Sequence, residues 1–157
     1  MRHTISVLVE NKFGVLARIA GLFSARGFNI ESLAVGETED PTVSRMTIVV
    51  DAPDERILEQ IKKQLHKLID VITVIDLTKK EFFERELILA RVSVDKSDKT
   101  KLEKLLNKFN AEILHRNKDS LIIEATLEQE KIKELLSILK KIGIKQLVRT
   151  GKIAIPK

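Results

Sequence analysis

The chain has 157 residues, 43% hydrophobic and 32% charged, enough for the core of one domain or two small ones and too evenly mixed for a disordered chain. It contains no cysteine, which rules out disulfides, thiolate metal sites and a cysteine nucleophile. The net charge of +5 is carried with only 4% aromatics, all Phe, so stacking platforms for single-stranded nucleic acid are poorly supplied.

In chain order, residues 3–9 alternate as a first strand, and a helix is predicted from about Gly14 to residue 26. That helix carries Leu16, Ile19, Ala20, Leu22 and Phe23 on one side, and Gly27 supplies a left-handed stop after it. A second strand covers about 28–36, the stretch Gly36 to Pro41 reads as a turn, and a third strand runs from Ser44 to Val50. Pro53 sits at a helix start with Asp54 and Glu55 in the favoured first-turn places. Ile57, Ile61, Leu65 and Leu68 repeat at helical spacing, and Val71 to Leu77 is a β-branched fourth strand. This order, β-α-β-β-α-β, is the ferredoxin-like unit: one antiparallel sheet with both helices on one face. The uncovered face predicts pairing with a second copy, a homodimer.

Thr78 to Arg85 reads as a charged connector anchored by Phe82 and Phe83, after which the order repeats. Strands are expected at 86–95, 111–115, 121–127 and 145–155. One helix carries Leu102, Leu105, Leu106 and Phe109, with Lys96-Ser97-Asp98 as caps, and another carries Ile132, Leu135, Leu136 and Leu139 and ends at Gly143. The fold class is therefore α+β, two βαββαβ units divided as 1–78 and 79–157, antiparallel sheets with helices on one face. The charge follows this division: residues 1–78 hold 9 Lys+Arg against 11 Asp+Glu, and residues 79–157 hold 19 against 12. The lysines of the basic half alternate with glutamates on helix faces, as at Lys101, Glu103, Lys104 and Lys108, which reads as a solvated surface and not as a nucleic-acid footprint.

The stretch from Glu10 to Ile30 offers the one arrangement with binding chemistry. The first N–H groups of a helix lack internal partners, and the macrodipole adds about half a positive charge there, a ready carboxylate site. Gly14 removes the side chain that would stand in the way, and Asn11 and Asn29 can accept from an ammonium group. Phe13, Val15, Leu16 and Ile30 can line an apolar pocket. Apart from Glu10 and Lys12 the stretch offers that pocket no charge, which favours an amino acid with a branched aliphatic side chain. On residue chemistry alone, Gly14 serves equally as a tight-turn glycine and the asparagines as turn and cap residues.

Asn11-Lys-Phe-Gly14-Val-Leu16 resembles the N/D-x-x-G-x-L loop of ACT domains. Gly27-Phe-Asn-Ile-Glu-Ser-Leu33 and Glu39-Asp-Pro-Thr-Val-Ser-Arg-Met-Thr-Ile48, with Leu58 to Leu68 and Asp70-Val71 extending the match, resemble the small regulatory subunit of acetohydroxyacid synthase (acetolactate synthase). The resemblance is strong over about residues 1–90 and diffuse beyond. It implies a non-catalytic regulatory subunit that binds a separate catalytic large subunit using thiamine diphosphate, Mg²⁺ and FAD. It also implies activation of that enzyme and feedback inhibition by valine, in some members leucine or isoleucine, in branched-chain amino acid biosynthesis. It implies ACT domains paired between two chains, with Asn11, Gly14 and Asn29 lining the effector site and Asn29 supplied by the partner chain. No cofactor is expected in this chain.

Other readings are weaker. A stand-alone amino-acid sensor, acting on another enzyme or on gene expression, is the alternative, but no helix-turn-helix flanks the units. An RNA-binding ferredoxin-like protein needs aromatics in Ile5 to Val9 or Ser44 to Val50, and neither has any. No nucleophile elbow, P-loop or G-x-G-x-x-G occurs, so no catalytic residues are expected. His3, His66 and His115 have no ligand spacing: His66 reads as a cation near a helix end, and no metal site is expected. Glu37 to Asp40 reads as a solvated hairpin tip, and the loop 36–45, with Arg45 as an anchor, is a candidate contact for the catalytic subunit. With no apolar run of about 18 residues and no signal-peptide pattern, the expectation is a cytoplasmic protein with no membrane or nucleic-acid partner.

Overall fold

The computed structural model describes residues 2–52, 54–94 and 99–157, with side chains for all of these except 99–101. Pro53 as a helix start, the caps at 96–98 and the side chain of Lys101 lie outside the described residues. The chain divides into two compact units, Met1–Phe83 with Lys152–Lys157, and Glu84–Gly151.

The first unit contains β1 (Arg2–Glu10), α1 (Val15–Ser24), β2 (Ile30–Glu37), β3 (Val43–Asp51), α2 (Glu55–Leu65) and β4 (Val71–Asp76). Its sheet is antiparallel in the order β2-β3-β1-β4, the β-α-β-β-α-β arrangement expected from the sequence. Period-2 alternation in β1 sends Ile5, Val7 and Val9 to the helix side, where Ile5 faces Ile48 and Val7 faces Met46. The helices answer with Val15, Ile19, Leu22 and Phe23 from α1 and Leu58, Ile61 and Leu65 from α2. Burying a side chain such as Phe23 contributes about 2–3 kcal/mol. The core stripe of α1 therefore begins at Val15, and Leu16 stays largely exposed.

Gly27 ends α1 as the spacing predicts. Its φ is +71°, Gly27 N donates to Ser24 O (3.1 Å) and Phe28 N donates to Phe23 O (3.0 Å), the paired 5→2 and 6→1 bonds of a Schellman stop. The chain then starts β2 at the far end of the helix.

The sheet face turned away from the helices holds Thr4, Ser6, Thr47 and Val49, all buried. Sequence reasoning leaves this face to a second copy. The chain's own last residues lie on part of it: Lys152 N donates to Ser32 Oγ (2.9 Å), and Lys152 Nζ reaches Thr4 Oγ1 (3.5 Å) and the Phe82 ring (5.9 Å to its centre).

The second unit holds β5 (Phe82–Ser93, begun in the first unit), α3 (Lys99–Lys108), β6 (Glu112–Arg116), β7 (Ser120–Leu127), α4 (Gln129–Ile142) and β8 (Ile144–Arg149). The sheet order β6-β7-β5-β8 repeats that of the first unit. Ile88, Ala90, Val92, Leu121, Ile123 and Ala125 pack against Leu102, Leu106 and Phe109 of α3 and Ile132, Leu135 and Leu139 of α4. Two boundaries differ from expectation. The charged connector is strand from Phe82 onward, because its residues alternate in burial as β5 does throughout. The last strand is broken in two: Gly151, at φ +83°, turns the chain after β8, and β9 (Ile153–Pro156) pairs with β5 within the reach of Phe82 and Phe83. Lys157 N donates to Glu81 O (3.0 Å) there. Lys152 and Lys157 sit over the Phe82 and Phe83 rings, and Phe83 itself is 57% exposed.

Candidate functional site

Helix α1 begins without a conventional cap. Gly14 holds the N-cap place in the left-handed region (φ 80°, ψ −6°) and gives no side-chain hydrogen bond, and the first turn has no acidic residue. Val15 N turns back to Lys12 O (3.3 Å). The helix therefore starts on exposed N–H groups with the positive end of its dipole uncompensated by its own residues.

A cation adds to that positive end. Arg18 lies one turn in, and its side chain runs back toward the helix start, as helical side chains do. Glycine is favoured here by its φ, and a Cβ built on Gly14 would lie 3.1 Å from Arg18 Nη1, close enough that the guanidinium would give by a few tenths of an ångström. Arg18 Nε and Nη2 both meet one oxygen, Asp70 Oδ2, at 2.9 and 2.7 Å. Asp70 is buried, 8% exposed, in the connection between α2 and β4, and its backbone O accepts from Glu10 N (2.9 Å). Sequence reasoning missed this pair. The signal available was an arginine in the first turn of a helix with no acid beside it.

Asn11 closes the other side of the loop. Its Nδ2 donates to Glu37 Oε1 (3.1 Å) and to Pro41 O (2.9 Å), and its N donates to Thr42 O (2.7 Å). With its amide hydrogens so placed, Oδ1 is the atom through which Asn11 would meet an ammonium. Glu37 is thus part of the loop's surroundings and not only a solvated hairpin tip. In the same hairpin Thr42 donates to Asp40 through Oγ1 (2.6 Å) and N (2.9 Å), which holds the Asp40 carboxyl below the usual carboxylate range. Lys12 is paired with Glu10 (2.6 Å), and that bond pushes the Lys12 ammonium above its ordinary value.

The other residues of the expected site are distributed unevenly. Phe13 is fully exposed and Leu16 is 44% exposed, both free to meet a ligand or another surface. Val15 points into the core, so what it offers the loop is backbone. Ile30 is half-buried against the core. Val35 is the apolar residue that sequence reasoning passed over: its register opposite Met46 puts it on the helix-covered face, yet it is 46% exposed. It stands two residues before Glu37, about 7 Å up the strand. Asn29 follows the Schellman stop, at the opposite end of α1 from Gly14. Ten helical residues separate them, about 15 Å. One chain therefore brings Asn11, Gly14, Leu16 and Arg18 to one end of α1 and Asn29 to the other.

Elsewhere, Arg45, a candidate anchor, donates to Ser6 Oγ (3.0 Å) on its own sheet. His66 holds the C-cap place of α2, near the helix end where the sequence put it. His3 is buried in β1 and His115 is exposed on β6, meeting Asn117 Oδ1 (3.1 Å). Among the described residues no group of three or more His, Asp and Glu is placed to hold a metal ion, and no helix is long and apolar enough to cross a membrane. In the second unit an open cavity of about 320 Å³ is lined by Glu103, Leu106, Asn107, Ala111, Ile113 and Arg116, with Arg116 paired to Glu103 (2.9 Å).

Residues 5–73 match the AHAS small subunit-like ACT domain, and residues 85–157 match the family described as small subunit of acetolactate synthase. A probable acetolactate synthase small subunit from Archaeoglobus fulgidus is 51% identical over 154 residues, covering 98% of this chain and 96% of that protein. The acetolactate synthase small subunit of Mycobacterium leprae is 47% identical over 153 residues, covering 98% and 90%. The crystal structure of the acetolactate synthase small subunit from Thermotoga maritima superposes with a TM-score of 0.90 at 36% identity, covering 100% of this chain and 98% of that one.

Proposed function

Since the chain belongs to the family of acetolactate synthase small subunits, non-catalytic ACT-domain partners of a separate catalytic subunit, we propose that it raises the activity of its catalytic subunit and makes that enzyme sensitive to feedback inhibition by valine. Thiamine diphosphate, Mg²⁺ and FAD then belong to the partner, and this chain supplies the sensor. The observation that carries the reading is the open start of α1. An uncapped helix end, a glycine at φ 80° and an arginine beside it offer positive charge to a carboxylate, while Asn11 and Glu37 offer acceptors to an ammonium. These are the two charged groups of a free amino acid. The exposed Leu16 and Val35 give an aliphatic side chain apolar surface and no charge.

The site reads as half of a whole. Asn29 sits a helix length away from its own Gly14, so an Asn29 in the site comes from a second copy, and the ACT units work as a homodimer. β2 is an edge strand of its sheet, with its outer backbone groups available to such a partner. Valine binding must favour one arrangement of the pair over another, since an effector shifts an equilibrium only by its differential affinity.

Titration calorimetry of the chain with valine, leucine and isoleucine tests the first step; a folded chain that binds none of the three overturns the proposal. The second step uses Gly14→Asp, which sets a carboxylate against the ligand's own. The variant is expected to abolish the valine response while activation of the catalytic subunit survives. Loss of both in a folded variant would sink the separation of sensing from activation.

A further inference from the structure

Arg18 is not explained by the stability of its helix. A cation in a first turn opposes the dipole, and among the described residues Arg18 is met there by Asp70, reaching over from the α2–β4 connection. The way the pair is made matters. A guanidinium and a carboxylate can form two parallel bonds through two oxygens, as Arg149 and Glu86 do in the second unit, Nε to Oε1 at 2.7 Å and Nη2 to Oε2 at 2.8 Å. Arg18 instead donates Nε to Asp70 Oδ2, and its Nη2 lies 2.7 Å from that same oxygen. Among the described residues its Nη1 has no hydrogen-bond partner, and Nη1 is the atom that lies against Gly14. The side chain is half exposed, whereas Asp70 is almost wholly buried. The guanidinium is thus held from behind by a buried carboxylate and turns a free edge toward the helix start.

We propose that Arg18 is the residue that receives the effector's carboxylate, and that Asp70 is its internal competitor. The inference rests on the effector reading above and goes further by assigning the carboxylate contact and what tempers it. A ligand carboxylate at the start of α1 takes the Nη1 edge of Arg18 and shares the guanidinium with Asp70. Asp70 then sets affinity in the direction opposite to Arg18: it spends part of the charge the ligand would use. Because Asp70 O also holds Glu10 N, a change in how tightly Arg18 grips Asp70 is felt at the connection between α2 and β4, where Ile69 is 95% exposed.

The test is titration calorimetry of the full chain with valine and with valinamide, which keeps the ammonium and side chain and lacks the carboxylate. Arg18→Gln is expected to weaken valine at least about tenfold, as for a lost hydrogen bond to a charged group, and to shrink the preference for valine over valinamide. Asp70→Asn, of the same shape and without the charge, is expected to tighten valine by a few-fold. Thermal melts establish that both variants are folded, and Arg18→Lys, which keeps charge and loses the fork, should fall between Arg18→Gln and the parent. If Asp70→Asn weakens valine as Arg18→Gln does, the pair is a structural brace and the inference fails. An unchanged valine-to-valinamide ratio in Arg18→Gln also overturns it. A folded parent chain that binds no branched-chain amino acid overturns the effector reading itself, and this inference with it.

Discussion

The two helices of the N-terminal unit begin in opposite ways. At α2, Asp54 takes an extended N-cap conformation (φ −147°, ψ 170°) and its Oδ1 accepts from Ile57 N at 3.0 Å. Glu55 stands in the first turn and Lys62 and Lys63 in the last, where each suits the dipole, while Arg56 beside Glu55 does not. At α1 there is no side-chain cap bond and no acid in the first turn, and Arg18, its fourth residue, is a cation. In the second unit α4 follows the pattern of α2: Glu84 Oε1 receives Gln129 N (3.1 Å) at its start, and Glu130 lies in its first turn. Two helix starts are closed by carboxylates, while the start of α1 is left short of one. A ligand that brings its own carboxylate completes α1 as Asp54 completes α2.

The strongest way to break this comparison is at Gly14. Gly14→Ala forces an L-residue into the left-handed region, a cost of about 1–2 kcal/mol, and its Cβ meets Arg18 Nη1. The melting temperature is expected to fall and valine affinity to fall with it, because the strained residue alters the loop that presents the helix start. A melt unchanged from the parent would show that the loop adopts another path around position 14.

Asp54→Ala makes the converse cut. It removes the α2 cap and is expected to lower stability by about 1 kcal/mol, read by denaturant unfolding, while valine affinity stays at the parent value. If valine affinity moved as well, the two helix starts would be coupled and α2 would be part of the effector response.

How much of this was legible in the sequence depends on how far each feature reaches along the chain. Local features were readable: the helical spacing of Ile57, Ile61 and Leu65, the β-branched run Val71 to Leu77, and Gly27 as a left-handed stop all follow from neighbours within a turn or two. Gly14 was readable as the start of a helix for the same reason, while residue chemistry alone left open whether it serves a turn or a site. What escaped was set by pairs far apart. Arg18 and Asp70 are 52 positions apart, and Glu86 and Arg149 are 63 apart. Nothing in either neighbourhood names the other member. The charged run before Glu86 read as a connector because its strand alternation is carried partly by charged residues. Val15 and Leu16 show the limit of periodicity itself. Both are apolar and adjacent, and only the angle at which α1 meets the sheet decides that Val15 enters the core while Leu16 faces outward.

The comparison sharpens further if α1 is given what α2 has. Ala17 is exposed in the first turn of α1, and Ala17→Glu places a carboxylate near the bare N–H groups, opposite the dipole and within the reach of a neighbouring cation. An acidic residue there contributes about 0.3–1 kcal/mol, so the ligand-free chain should melt slightly higher. The same charge repels an incoming carboxylate and occupies donors that it would use, so valine should bind several-fold more weakly in calorimetry. Stability and affinity therefore move in opposite directions from one substitution at an exposed position. Added salt should shrink both changes, since both are electrostatic and partly exposed. A helix start kept open only by chance would gain the stability and leave valine unaffected. One kept open for a ligand cannot be closed without loss of binding.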